Sequence, residues 1–324
     1  MSQVVILGEV LVDLLSDDVG VRLEDASTLR PAIGGAPANV AVQLARLAPS
    51  QKLQLWSAVG DDPLGRWARK NLDKEGVDAS FVQVLPDRKT GLTFIDVDDH
   101  GERFFSPYRE NAADLAMDVH SLDKAALREC SWLHTGTVSM RTPSSHEATA
   151  CARSWVREAD GVVSVDVNLR PKMYPSLDAL FEKAFEAMRN AHVVKISREE
   201  GEQLFKTRAA KEVAKHILGL GALVVAVTLD EEGALIASEK VQARCSAEKV
   251  KVVDATGAGD AFMGGLIRFL PHDKDALVSL DDEELGAIAK KCSCLGTAVV
   301  QRVGACTGML NQEELQKKCI SNEK

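Results

Sequence analysis

Six short, largely apolar runs set the main constraint on this chain: Val4–Leu7, Leu53–Val59, Trp132–Thr135, Val162–Val167, Val193–Ile196 and Leu223–Thr228. A strand with one face in water alternates apolar and polar residues. Runs without regular alternation are what strands look like when helices cover both faces. Helical patterns fall between them, at Ala36–Leu47, Leu64–Lys74, Ser144–Glu158, Leu177–Arg189 and Ala209–Leu218. In the first of these, Val40, Leu44 and Leu47 share one face and Pro49 marks the exit. The repeat predicts an α/β fold of three α/β/α layers on a mostly parallel central sheet. A length of 324 residues suggests about two domains, but α/β folds of this size often form one core. With no internal repeat and no low-complexity linker, we expect a single unit over residues 1–324.

Two segments break the pattern. Val10–Leu15 leads into a polar stretch ending at Pro31, and Thr90–Val97 and Arg103–Tyr108 flank the turn Asp98-Asp99-His100-Gly101 as a β-hairpin would. Residues of about 10–33 and 88–109 therefore read as a small β-sheet lid, able to exclude water from a reacting phosphate. An ordinary edge hairpin explains the same pattern equally well.

Bulk properties exclude some functions. The net charge is −9 with no long basic run, which argues against a nucleic-acid partner. The first residues enter a strand directly, without the basic-then-apolar layout of a leader. The densest apolar run, Ala222 to Val227, is far shorter than the ~20 residues of a membrane span, so no membrane partner is expected. Seven irregularly spaced cysteines read as reduced, packed thiols in a cytoplasmic protein.

The chemistry concentrates late in the chain, in Asp254-Ala255-Thr256-Gly257-Ala258-Gly259-Asp260-Ala261-Phe262-Met263-Gly264-Gly265. It follows the strand-like Val250-Lys251-Val252-Val253 and opens an apolar helix. Two glycines and an alanine let the backbone turn with its N–H groups outward, where the helix dipole favours an anion. Asp260 falls in the first turn. A carboxylate there is often only a cap worth ~1 kcal/mol, but a cap needs no glycines. Beside a held phosphate it becomes a base next to an electrophile. No Gly-Lys-Ser/Thr occurs, which excludes a Walker A loop, and Phe262 stands where a Rossmann fingerprint needs its third glycine. A second stretch, Gly34-Gly35-Ala36-Pro37-Ala38-Asn39-Val40-Ala41, combines close backbone approach with a side chain that both donates and accepts. Sugars need such groups, although a tight strand-to-helix turn accounts for it equally well.

Together the two stretches resemble the paired signatures of the ribokinase-like (PfkB) carbohydrate kinases, and the likeness runs over nearly the whole chain. Gly8-Glu9-Val10-Leu11-Val12-Asp13, Gly60-Asp61-Asp62-Pro63-Leu64-Gly65, Asp166-Val167-Asn168-Leu169-Arg170-Pro171, Lys195-Ile196-Ser197-Arg198-Glu199-Glu200 and Thr228-Leu229-Asp230-Glu231-Glu232-Gly233 are similar to further family segments, in order. The resemblance implies a ribokinase-like fold and transfer of the γ-phosphate of ATP, with Mg²⁺, to a primary alcohol of a sugar. It implies Asp260 as general base and the Gly257, Ala258 and Gly259 amides as the anion hole. Asp13, Gly34, Gly35 and Asn39 would hold the sugar, with Phe94, Phe104 and Phe105 walling it and Arg103, Arg109 or Arg170 reaching its hydroxyls or the phosphate. For the phenylalanines, a plain hydrophobic hairpin face is an equal reading. Asn168, Lys195, Thr228, Asp230, Gly233 and Ser293 would face the nucleotide. Glu200 would organise Mg²⁺ through water, and Asp254, with backbone near Arg302–Ala305, would hold K⁺ in the manner of some relatives. The chain departs from the family at Ala255, Ser197 and Ser293, and at Asp230, where the family has Gly and an added charge would weaken ATP binding unless it points to solvent.

The forms Gly34–Asn39, Asp166–Pro171, Gly101–Phe105 and Tyr108–Asp114 are most similar to bacterial and plant fructokinases, so fructose is the expected substrate. Kinases of 2-keto-3-deoxygluconate or aminoimidazole riboside share much of the pattern. Fructose 6-phosphate is not expected, since no extra basic cluster is evident for a second phosphate. A non-catalytic sugar or nucleotide sensor on the same fold is the competing class. An exposed lid also predicts a homodimer formed through it.

Overall fold

The computed structural model describes residues 3–97, 103–189 and 191–321, excluding the side chains of Asp17, Val19, Val97, Arg103 and 319–321. The turn expected at Asp98-Asp99-His100-Gly101 lies outside the described residues. The strands are β1 Gln3–Leu7, β2 Leu11–Val19, β3 Leu29–Gly34, β4 Lys52–Gly60, β5 Val82–Leu85, β6 Gly91–Val97, β7 Arg103–Tyr108, β8 Cys130–Gly136, β9 Val162–Asp166, β10 Val193–Ser197, β11 Val224–Thr228, β12 Ala234–Ala237 and β13 Gln242–Cys245.

Nine strands form one sheet in the order β13-β12-β11-β10-β9-β8-β1-β4-β5. From β11 to β5 every pairing is parallel, and β12 and β13 close one edge as an antiparallel hairpin. Alternation along each strand splits its side chains between two helical layers. Val4 and Ile6 of β1 join the core with the helices Ala36–Leu47, Ala258–Phe269 and Asp282–Val299. Val5 and Leu7 face the helix Pro143–Glu158 on the other side. In β10, Val193 belongs to the first core, and Val194 and Ile196 to a second one with Leu180, Ala184 and Ile217. This is the expected three-layer α/β/α architecture.

Four strands form a second sheet, β3-β2-β6-β7, antiparallel at its two outer pairings and parallel between β2 and β6. One expectation needs correction. Val250–Val253 is not a strand: it is coil, and Val253 N and Asp254 N both donate to the Val300 carbonyl, at 2.7 and 3.1 Å. Val252 and Val253 are exposed.

Candidate active site

Parallel strands place their carboxyl ends along one edge of the sheet, where ligands of such folds collect. Asp166 ends β9 and lies in register with Lys195 of β10. Both point to the same layer, because Val162 and Val193, an even number of residues away, belong to the core shared with the helix Ala258–Phe269. Lys195 Nζ donates to Asp166 Oδ1 and Oδ2 at 3.0 and 2.9 Å, and both residues are buried. Burial alone would lower the Lys195 pKa, but Asp166, Glu200 and Asp260 outweigh it and raise it, so the ammonium stays charged.

Lys195 also lies under the helix start. A Cβ at Gly259 would stand 3.0 Å from its Nζ. The helix is capped by Gly257 in the left-handed region (φ 83°), where a Cβ would lie 2.7 Å from Ala305 Cα. No side chain caps this end; Ala258 N makes a 3.3 Å turn bond to the Ala255 carbonyl, and the amides on either side of it stay available to a ligand. Asp254 braces the approach: Oδ1 accepts from Thr256 N at 2.9 Å and Oδ2 from Gly304 N at 2.5 Å.

Asp260 sits in the first turn of this helix. Burial, reinforced by Asp166, pushes its pKa up to about 6, while the Asn39 hydrogen bond, Lys195 and Arg170 pull it down. Asn39 Nδ2 donates to Asp260 Oδ2 at 2.8 Å, joining residues 221 positions apart. The carboxylate can only accept, so the amide nitrogen must face it and Oδ1 needs a donor elsewhere. Cys306 Sγ fills that need at 3.3 Å. Burial pushes the Cys306 thiol up, so it keeps the proton it donates.

Asp13 lies across from this group on β2. A Cβ at Gly34 would overlap its carboxyl, which is the reason for glycine there. Gly35 (φ 95°) brings its backbone against Glu9. Pairing parity puts Asp13 on one face of the small sheet with Leu15, Thr93, Ile95 and Phe105, and Leu15 Cδ1 reaches toward Gly304. Phe94 and Phe104 therefore lie on the opposite face from Asp13. There Phe94 packs edge-on against Tyr108 (ring centroids 4.9 Å) and Phe104 takes the Arg22 guanidinium at 4.1 Å. Of the three residues expected to wall the sugar, Phe105 alone shares the face of Asp13. Arg103 pairs with Val97 by its backbone, and its side chain lies outside the described residues. Arg109 is buried, donating to Asp114 Oδ2 and to Met173 Sδ at 3.3 Å. Arg170 is exposed and interacts electrostatically with both Asp260 and Glu9.

Residues expected to face nucleotide and metal lie at the neighbouring strand ends. Glu200 caps its own helix and links two segments: Oε2 accepts from Ser197 N at 2.9 Å and Oε1 from Leu169 N at 2.6 Å. Burial, then Asp166, raises its pKa. Asn168 adopts φ 41° between Val167 and Leu169. Thr228 ends β11, and Gly233 (φ 94°) has no room for a Cβ against Cys245 O. Asp230 takes φ 51°, which explains why glycine suits this turn; Asp tolerates it, and the side chain is exposed. Ser293 Oγ lies 2.9 Å from Cys245 Sγ beside a groove of about 310 Å³ lined by Ser246, Glu248, Lys290, Cys294 and Thr297. Asp166, Asp114, Glu9 and Cys306 carry the site's electrostatics yet were not singled out in the sequence. For Asp166 the available signal was its place at the end of a buried strand.

The sequence profile of the pfkB family carbohydrate kinases matches residues 1–312. The chain belongs to that family. It is accordingly a phosphotransferase acting on an alcohol group of a carbohydrate. Among pfkB relatives, a fructokinase of Vibrio alginolyticus is 33% identical over 319 residues, 97% of this chain and 98% of the relative. A fructokinase of Xylella fastidiosa with bound ATP superposes with a TM-score of 0.89 at 28% identity, over the full length of both chains. A fructokinase double mutant of Vibrio cholerae O395, holding fructose, ADP and a potassium ion, gives 0.86 at 32% identity over 98% of each.

Proposed function

We propose that this pfkB kinase is an ATP-dependent fructokinase, working over residues 1–324 as one unit and transferring the γ-phosphoryl group to a primary hydroxyl of fructose. The observation that carries it is Asp260: a carboxylate with a pKa near 6, one residue past the last signature glycine, at an uncapped helix start and hydrogen-bonded to Asn39. Asp260 takes the proton from the attacking hydroxyl, as a positioned base worth about 10²–10⁴ in rate. The Gly257, Ala258 and Gly259 amides receive the developing charge, each such donor being worth ~3 kcal/mol. Asp13, Gly34, Gly35 and Asn39 hold the sugar, and Lys195 stabilises phosphate oxygens from below Gly259. Asn168, Thr228, Gly233 and Ser293 line the nucleotide side, and the Asp230 carboxyl is held beside Glu199 and Arg198.

The residues fit the metals the family implies. Glu200 spends one bond per oxygen on backbone donors and keeps lone pairs for metal-bound water. Asp254, bonded the same way at the helix approach, suits a monovalent cation with the carbonyls of 302–305. Bound Mg²⁺ would neutralise charge on the phosphates.

A coupled assay of ADP release with fructose, 2-keto-3-deoxygluconate and aminoimidazole riboside, scored by kcat/KM beside Asp260→Ala, tests the reading. We expect fructose to rank first and the variant to lose at least about a hundredfold. A wild type that binds ATP but turns over no sugar would establish the sensor alternative.

A further inference from the structure

Two guanidinium groups at the sugar end would suit a sugar acid as well as a neutral sugar, and the surroundings of Arg109 decide between them. Its guanidinium donates to the buried Asp114 carboxylate and to Met173 Sδ, three residues past Arg170. Glu9 joins the group: it interacts electrostatically with Arg109, Asp114 and Arg170, and its Oε1 accepts from Ala36 N at 3.3 Å, next to the Gly34–Gly35 turn. Arg170 in turn faces Asp260. Arg141 also faces Asp114. Counting Asp260, three carboxyl groups thus stand against three guanidinium groups, a group whose charge is balanced before any ligand arrives. Two buried acceptors, Glu9 Oε2 and Asp114 Oδ1, have no donor among the described residues, against one buried guanidinium donor, Arg109 Nε, with no acceptor. An arriving carboxylate would add a further acceptor where acceptors are already in surplus. A hydroxyl can donate as well as accept.

We propose that Asp114 is a specificity-determining residue: by holding the charge of Arg109 it makes the pocket select neutral sugars and reject sugar acids. It acts through Arg109 and not by touching the substrate. Placing an unfavourable charge against the wrong ligand is a general route to specificity. The proposal rests on the sugar-kinase reading above and narrows its substrate class.

The test compares kcat/KM for 2-keto-3-deoxygluconate and fructose in the wild type, Asp114→Asn and Asp114→Glu, with thermal melts as a check on folding. Asp114→Asn should raise the acid-to-neutral ratio at least about tenfold, a shift of ~1.4 kcal/mol, and Asp114→Glu should hold it near the wild-type value. A folded Asp114→Asn with an unchanged or lower ratio overturns the proposal. Removing one partner of a buried pair is strongly destabilising, whereas replacing both by apolar residues is often tolerated. Should Asp114→Asn fail to fold, Arg109→Met/Asp114→Leu removes the pair as a neutral unit. Its ratio should match the wild type, and a ratio moved tenfold either way overturns the charge balance. If the wild type phosphorylates neither sugar, the fructokinase reading fails separately. The same ratios are then read from calorimetric Kd values, and an unchanged ratio in Asp114→Asn overturns the filter on its own.

Discussion

A general base for an alcohol must be ionised at working pH and still hold a proton well, and burial tunes Asp260 toward that point. Its pKa of about 6 lies above the ordinary 3.8, so the folded protein binds this proton more tightly than the unfolded chain. Ionised Asp260 therefore costs stability above pH 6, and the cost vanishes as pH falls toward 4. Asp260→Asn should melt a few degrees higher than the wild type at pH 8, with the difference shrinking through pH 6. Over the same range kcat/KM of the wild type should rise and level off. Asn39 donates to the ionised form and holds the pKa down, so Asn39→Ala should move that limb to higher pH. A limb that stays in place would remove Asp260 from the role of base. The placement of Asp260 and Asn39 was legible in sequence because each follows glycines at a helix start. Cys306 was not, since nothing local marks a thiol as the donor that orients an amide 267 positions away.

At the scale of elements, the helix Ala258–Phe269 is useful only if its first turn stays open and correctly aimed. Gly257 makes both possible, by a left-handed φ of 83° and by letting Ala305 approach. Holding that conformation costs an ordinary residue about 1–2 kcal/mol, and a Cβ 2.7 Å from backbone forces a further shift. Gly257→Ala should therefore lower Tm and also reduce kcat, because amides displaced from the migrating phosphoryl group lose transition-state stabilisation. If Gly257→Ala melts lower but keeps full kcat, the helix start is structural only. The buried parallel strands were legible from their apolar runs. The hairpin of β12 and β13 was not: Gln242–Cys245 alternates exposed and partly buried residues, and Val250–Val253 carries the stronger strand pattern yet is coil, its last amide donating to the Val300 carbonyl.

For the whole molecule, the four-stranded sheet offers two faces and only one is committed to the site. Asp13, Leu15 and Ile95 mark that face, and the other carries Phe94, Phe104 and Tyr108, the last of them 65% exposed. Among the described residues, β3 and β7 are unpaired on their outer edges. Free strand edges beside an aromatic face usually meet a partner in soluble proteins. The lid segments were legible as strands that leave the main pattern, but not which phenylalanine faces which side, because a one-residue change of register reverses every side chain. We expect light scattering at micromolar concentration to give twice the chain mass. Tyr108→Glu, a change at an exposed position, should shift the species toward monomer without lowering Tm. A monomeric wild type at that concentration, or a Tyr108→Glu variant that remains fully dimeric, would place any self-association away from this face of the lid.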